Sequence, residues 1–207
     1  MSSEPAPRIA VFDFDGTLYS KDSLLDFCLY YYKKKPWRIW FLGVQAIYWL
    51  GWKLNFINTT RFKSRFIGFI QGDPYEEVNK LSTEFWSNNH GFNEHIIEAL
   101  NRCRAQGYTP VVASASPNIF IAPACRTLNI QHLVATSLHI STGGYQMGEN
   151  CRGSQKLDRV RALFPAGSIE EVYSDNSDDL PLLNAATRGY MIKAGQIIPF
   201  NPGDAVH

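Results

Sequence analysis

Asp13-Phe14-Asp15-Gly16-Thr17 sets two carboxylates two residues apart, directly after the apolar run Ile9-Ala10-Val11-Phe12. One carboxylate can act as a nucleophile while a second gives and takes a proton. Clustered carboxyl oxygens also suit a hard divalent cation. An acidic pair alone says little, because loops after strands are commonly acidic. The setting says more: the apolar run supplies a buried strand, and Gly16 permits a tight turn behind it. Three other segments carry side chains of the same kind. Ser114 follows Val111-Val112-Ala113, and Ser116 is a rival for any role it has. A serine after a strand is ordinarily a turn former. Lys156 closes Gly153-Ser154-Gln155-Lys156, where its ordinary reading is a solvated residue in a helix's first turn. Asp175-Asn176-Ser177-Asp178-Asp179 holds acids four apart, with Asp178 and Asp179 competing for the second place. The spacing and the following Leu180-Pro181-Leu182-Leu183 favour Asp179.

These residues need elements to bring them together. Residues 8–13 read as a buried strand that stops in a loop. Residues 96–105 have helical periodicity, ended by Gly107, and residues 108–113 form a second buried strand. Residues 118–128 read as a helix that Pro123 should kink or delay. Residues 132–140 read as a strand, 141–144 as a turn and 145–148 as its hairpin partner. An amphipathic helix over 156–164, a strand over 171–174, a short helix over 179–186 and a last strand over 189–193 complete the series. This alternation predicts an α/β fold, a parallel sheet with helices on both faces. Ligands bind such sheets beyond the carboxyl ends of the strands. Asp13, Ser114 and Asp175 each follow a predicted strand, so one rim should hold all three.

Taken in order, the four segments resemble the four motifs of the haloacid dehalogenase superfamily, on its phosphatase side. The likeness runs from about residue 8 to residue 193. The insert between the first and second motifs resembles the helical cap of the phosphoserine phosphatase-like branch. The resemblance implies a Rossmann-like catalytic core, residues 1–20 and 95–207, with a helical cap, residues 21–94, inserted after the first strand. It implies a Mg²⁺-dependent phosphomonoester hydrolase working through an aspartyl-phosphate. On that resemblance Asp13 is the nucleophile, and Asp15 protonates the leaving oxygen and then takes a proton from water. Asp13, the Asp15 backbone carbonyl and Asp175 would hold Mg²⁺. Ser114 and the following backbone N–H would hold the transferring phosphoryl group, and Lys156 would offset its charge. Asp179 would orient Lys156 or a metal-bound water. Phosphate monoesters demand such a set, because their negative oxygens repel a nucleophile until that charge is offset. Members that cleave carbon–halogen bonds generally lack a carboxylate at the Asp15 position, so that reaction is not expected here.

Composition bounds the remainder. With 207 residues, 45% of them apolar, and a net charge of +1, the chain is a globular domain carrying an insertion and not a disordered one. A pI near 7.7 argues against a nucleic-acid binder. Cys28, Cys103, Cys125 and Cys151 show no paired spacing and read as thiols of a reducing compartment. The opening MSSEPAPR has no apolar stretch, so no secretory signal is expected. The implied location is cytoplasmic, free or peripheral to the inner face of the membrane. The sequence leaves the oligomeric state open.

The even net charge conceals an asymmetry. Residues 27–72 contain no acid but eight bases: Lys33, Lys34, Lys35, Arg38, Lys53, Arg61, Lys63 and Arg65. Fourteen of the 28 aromatic residues lie there, including Trp37, Trp40, Trp49 and Trp52. Residues 39–52 are interrupted by one polar side chain, Gln45. A helix of that length covers about 21 Å, short of the roughly 30 Å hydrocarbon core. It reads either as a helix buried against its neighbours, which an apolar surface on every side favours, or as one lying at an anionic membrane surface. Two substrate classes follow. An anionic lipid phosphate fits the aromatic, acid-free cap, which resembles that of phosphatidylglycerophosphatase C-like members. A small soluble phosphoester such as phosphoserine fits Asp22 and Arg65, which resemble that branch's groups for the substrate amine and carboxylate. A protein that binds a membrane or a partner without catalysis is the reading of another class. Asp13, Asp15, Lys156 and Asp175 together argue against it.

Overall fold

The structure, a computed structural model, describes residues 6–57, 65–89 and 91–202. In chain order its elements are β1 (Arg8–Phe12), α1 (Ser23–Lys34), α2 (Phe41–Lys53), α3 (Tyr75–Ser87), α4 (Glu94–Ala105), β2 (Thr109–Pro117) and α5 (Asn118–Thr127). There follow β3 (His132–Thr136), β4 (Leu138–Ser141), β5 (Gly144–Met147), α6 (Ser154–Leu163), β6 (Ser168–Ser174), α7 (Leu180–Ala185), β7 (Arg188–Lys193) and β8 (Gln196–Phe200). Six strands form one sheet in the order β3-β2-β1-β6-β7-β8, and β4 and β5 form a separate hairpin. All neighbours in the large sheet are parallel except β7 and β8.

β1 lies inside the sheet, paired with β2 and β6, and its residues Ile9 to Phe12 are buried. Strand alternation sends Ala10 and Phe12 to one face and Ile9 and Val11 to the other. The Ile9 and Val11 face packs with Val160 of α6 and with Leu182 and Leu183 of α7. The Phe12 face packs with α4, α5 and the helices between β1 and β2. Rings run across this face: Phe12 stacks on Tyr173 and Tyr173 on Tyr190, each at 4.8 Å. The aromatic core continues into the insert, where Phe27 of α1 meets Phe120 of α5 at 4.9 Å. Gln71 adds a polar tie to the hairpin: its amide donates to the Tyr145 carbonyl and accepts from the Tyr145 N–H, both at 2.8 Å.

Several expectations change. β2 runs on to Pro117, with a register shift against β3 between Ser114 and Pro117. The strand expected over 132–140 is broken at Ser137 into β3 and β4, which belong to different sheets. Pro123 lies inside α5 without delaying its start. β8 extends the sheet beyond the expected last strand; its Pro199, opposite Tyr190, is tolerated because an edge strand has no outer neighbour to satisfy.

The largest correction concerns α2. Of its two readings, the structure departs from the buried one: Gln45 is its one buried residue among those described. Trp40, Ile47, Trp49 and Leu50 are exposed. Hydropathy states what a helix could bury, and only packing partners decide what it does bury. No helix among the described residues is long and apolar enough to cross a membrane.

The basic excess of residues 27–72 is also partly cancelled by acids lying just beyond them. Lys34 pairs with Glu84. Lys35 reaches Asp73 at 3.0 Å and Glu77 at 2.7 Å, and Arg38 reaches Asp73 at 3.0 Å. Arg61 and Lys63 lie outside the described residues.

Candidate active site

The carboxyl ends of β1, β2 and β6 meet at a cavity of about 390 Å³. Asp13, Asp15, Asp22, Lys156, Asp175 and Asp179 all line it. Asp13 leaves β1 with its N–H donating to the Tyr173 carbonyl of β6 at 2.8 Å. Its Oδ1 accepts from the Phe14 N–H at 2.7 Å and lies 2.9 Å from the Lys156 ammonium. Lys156, in the first turn of α6, also donates to Asp179 at 2.6 Å. The Ser174 hydroxyl donates to the same Asp179 oxygen at 2.6 Å and lies 3.4 Å from Asp13 Oδ2. All four side chains are buried, so this is a sequestered charge cluster and not a surface ion pair.

The electrostatics follow from that burial. Burial pushes the Asp13 carboxyl upward, more strongly than Lys156 draws it down, and Asp179 adds repulsion. Burial works against the Lys156 ammonium, but Asp13 and Asp179 outweigh it and raise its pKa. Asp15 is raised by burial against the pull of its hydrogen bonds. Those bonds come from the Ser23 N–H at 2.7 Å and the Ser116 hydroxyl at 2.6 Å. Ser23 opens α1, so the Asp15 carboxylate is tied to the first inserted helix.

Asp175 is placed by two residues of the first loop. Its N–H donates to the Thr17 hydroxyl at 3.1 Å. Gly16, at φ +71°, passes so close that a Cβ there would stand 2.0 Å from Asp175 Oδ2. Burial raises the Asp175 carboxyl as well. Asp13, Asp15 and Asp175 thus share one cavity with a single buried ammonium, and burial disfavours the charge on each. Asp13, Asp15 and Asp175 are the residues that could hold a cation there. Among the described residues no three His, Cys, Asp or Glu side chains form a ready cage. Two carboxylates and a backbone carbonyl suit Mg²⁺, which keeps several of its waters.

The expected residues do not all converge. Ser114 is fully buried and does not line the cavity; its Oγ accepts the Ser116 N–H at 3.0 Å. Ser116 lines the cavity in its place, because β2 continues past the expected strand end and its irregular pairing turns there. Asp22 lines the cavity but also caps α1, accepting from the Leu25 N–H at 2.9 Å. Arg65 is not on the cavity; its guanidinium stands 5.8 Å from the Tyr48 ring centre, beside α2. Sequence reasoning missed Thr17, Ser23, Ser174 and Arg152. Thr17 and Ser174 adjoin the acidic segments and could have been noticed there. Arg152 lines the cavity and pairs with Asp178, and no pattern in the sequence marks it.

Comparison with known proteins gives the family and the fold. Residues 10–184 match the family model of haloacid dehalogenase-like hydrolases. Protein CicA of Caulobacter vibrioides is 29% identical over 212 residues, covering 92% of this chain and 88% of the relative. A protein of unknown function from Bordetella pertussis Tohama I has a TM-score of 0.76 at 21% identity, covering 89% of each chain. A substrate-bound phosphoserine phosphatase has a TM-score of 0.58 at 15% identity, covering 90% of this chain and 86% of that one. A phosphoserine phosphatase holding a phospho-aspartyl intermediate analogue has a TM-score of 0.57 at 14% identity, over 89% and 86%. The chain belongs to the haloacid dehalogenase-like hydrolases, with the fold of their phosphoserine phosphatase-like branch.

Proposed function

We propose that this hydrolase is a Mg²⁺-dependent phosphomonoesterase that works through an aspartyl-phosphate on Asp13. The observation that carries the reading is the buried Asp13–Lys156–Asp179 cluster, 2.9 and 2.6 Å across its contacts, on a cavity shared with Asp15 and Asp175. Oδ2 of Asp13 attacks phosphorus while the ester P–O bond breaks. Asp15, whose protonated form burial favours, delivers its proton to the leaving oxygen. Water then attacks the aspartyl-phosphate and gives a proton to Asp15, releasing inorganic phosphate and restoring Asp13. Asp13, the Asp15 carbonyl and Asp175 would hold Mg²⁺, which when bound offsets the charge on the phosphoryl oxygens. Lys156 supplies the fixed positive charge beside the nucleophile, and Asp179 with Ser174 holds it there. Ser116, on the cavity, is a better placed partner for the phosphoryl group than Ser114.

Residues 21–94 act in this reading as a helical cap over the cavity. Of the two substrate classes, an anionic lipid phosphate is favoured. Arg65 stands outside the cavity, which weakens phosphoserine-like recognition of a carboxylate, and α2 exposes apolar side chains that a soluble substrate does not need. The test is a screen of soluble and lipid phosphomonoesters with and without Mg²⁺, using wild type and Asp13→Asn. Wild type should hydrolyse phosphomonoesters, lipid ones best, only with the metal. Full turnover by Asp13→Asn would overturn the covalent mechanism.

A further inference from the structure

α2 is built inside out. Its buried residue, Gln45, is polar: the amide donates to the Phe66 carbonyl at 2.9 Å and accepts from the Tyr32 hydroxyl at 2.9 Å. Several apolar side chains on it and at its start face outward, with Ile47 70% exposed, Leu50 51% and Trp40, just before the helix, 64%. A helix on a water-facing surface shows the reverse arrangement. Gln45 and Phe41 thus fix α2 to the insert, while Ile47, Trp49 and Leu50 stay exposed. Such a contiguous apolar surface marks an interaction site.

We infer that α2 seats the protein in the interface of an anionic lipid bilayer, lying along the surface. Three observations choose this occupant. The helix has 13 residues, about 20 Å, too short to cross a hydrocarbon core of roughly 30 Å but suited to lying along its boundary. Its apolar stretch carries Trp40, Tyr48, Trp49 and Trp52, the ring types that settle at headgroup depth. The charges beside it are positive: Lys53 stands 5.0 Å from the Trp49 ring centre and Arg65 5.8 Å from that of Tyr48, neither with an acidic partner among the described residues. Cations beside aromatics, with no acid on the helix, complement a surface of anionic headgroups. The inference uses no residue of the cavity, but it shares the exposed surface of α2 with the preference for a lipid substrate and in that respect rests on the proposed function.

The test is flotation with vesicles of phosphatidylcholine alone and of phosphatidylcholine mixed with phosphatidylglycerol. Wild type should float with the mixed vesicles, less with the neutral ones and less at high salt, and its tryptophan emission should shift to the blue. In the double variant Ile47→Glu/Leu50→Glu, partitioning should fall by about tenfold for each side chain exchanged. Both positions are exposed, so the variant should keep its thermal midpoint and its hydrolysis of p-nitrophenyl phosphate. That last assay separates failure of the membrane inference from failure of the phosphatase reading. Folded wild type that floats with neither vesicle overturns the inference. So does a wild-type dimer in solution that the double variant dissociates, which would give the surface to a second copy. Equal flotation with both vesicles overturns the anionic assignment.

Discussion

Replacing Gly16 with Ala separates backbone strain from site damage. The residue sits at φ +71°, where an L side chain costs roughly 1–2 kcal/mol. In a chain of this length each kcal/mol lowers the midpoint by about 2–4 °C, so melting should fall by a few degrees. The site should suffer far more. The new Cβ would stand 2.0 Å from Asp175 Oδ2 and 2.5 Å from its Cγ, whereas ordinary contact begins at 3.4 Å. The carboxylate must retreat by about 1.4 Å, and a misplacement near 1 Å can cost about a hundredfold in rate. Gly107→Ala is the control: φ is +76° there, but nothing stands within 4 Å of the added Cβ. It should lose the same few degrees and no activity. The assay is p-nitrophenyl phosphate hydrolysis across a Mg²⁺ titration, with melting curves for all three proteins. Wild-type turnover by Gly16→Ala at every Mg²⁺ concentration would show that Asp175 does not serve the reaction.

Ser116→Ala removes a 2.6 Å hydrogen bond that favours the charged form of Asp15, so the pH–rate limb set by that group should move to higher pH and kcat should fall about tenfold. Ser114→Ala should cost about 1 kcal/mol of stability and leave the pH profile in place; an equal kinetic loss in both variants would contradict the cavity assignment. Chelation with EDTA should abolish hydrolysis and Mg²⁺ should restore it, while excess Ca²⁺ inhibits through looser coordination; full activity after exhaustive chelation would remove the metal from the mechanism. Glu171 gives a prediction remote from the cavity. Burial alone would raise its carboxyl, but hydrogen bonds from Tyr173, Cys103, Arg188 and Arg102 outweigh that and hold it below its usual range. Its stabilisation is therefore present above the ordinary glutamate range and is lost as pH falls through the depressed folded value. Glu171→Gln should lower the melting midpoint at neutral pH and flatten its decline in acid; an acid limb identical to that of wild type would refute this.

The sequence made the rim legible because its cues are local. An apolar run that stops at an acid, as at Phe12-Asp13, marks a strand end, and the shorter Val172-Tyr173 pair before Ser174-Asp175 gives a weaker cue of the same kind. Parallel pairing then brings such ends together, and Asp13, Asp15, Lys156, Asp175 and Asp179 do share a cavity. What escaped depends on geometry between segments. Ser114 and Ser116 differ by two residues, and only the irregular pairing of β2 with β3 shows which reaches the cavity. Arg65 resembles a carboxylate-binding arginine of the branch, yet it lies over Tyr48. The basic window looked unbalanced because Asp73, Glu77 and Glu84, which neutralise Lys34, Lys35 and Arg38, fall just past its edge. The exposure of α2 was equally invisible, since its hydropathy is the same whether or not a neighbour covers it.

The position of β1 inside the sheet also constrains how the protein comes to exist. Both edges of this short, apolar strand stay bare until its neighbours are made. The contact between Ser116 and Asp15 closes over 101 residues, and that between Ser174 and Asp13 over 161. Distant closures of this kind are slow, and strands waiting for them are exposed to mispairing. During synthesis Asp13 therefore precedes its sheet neighbour β6 and waits until β6 leaves the ribosome. In refolding, helical signal should return first and hydrolytic activity last, because the cavity has no local precursor. Time-resolved recovery of turnover thus reports the closing of the sheet itself.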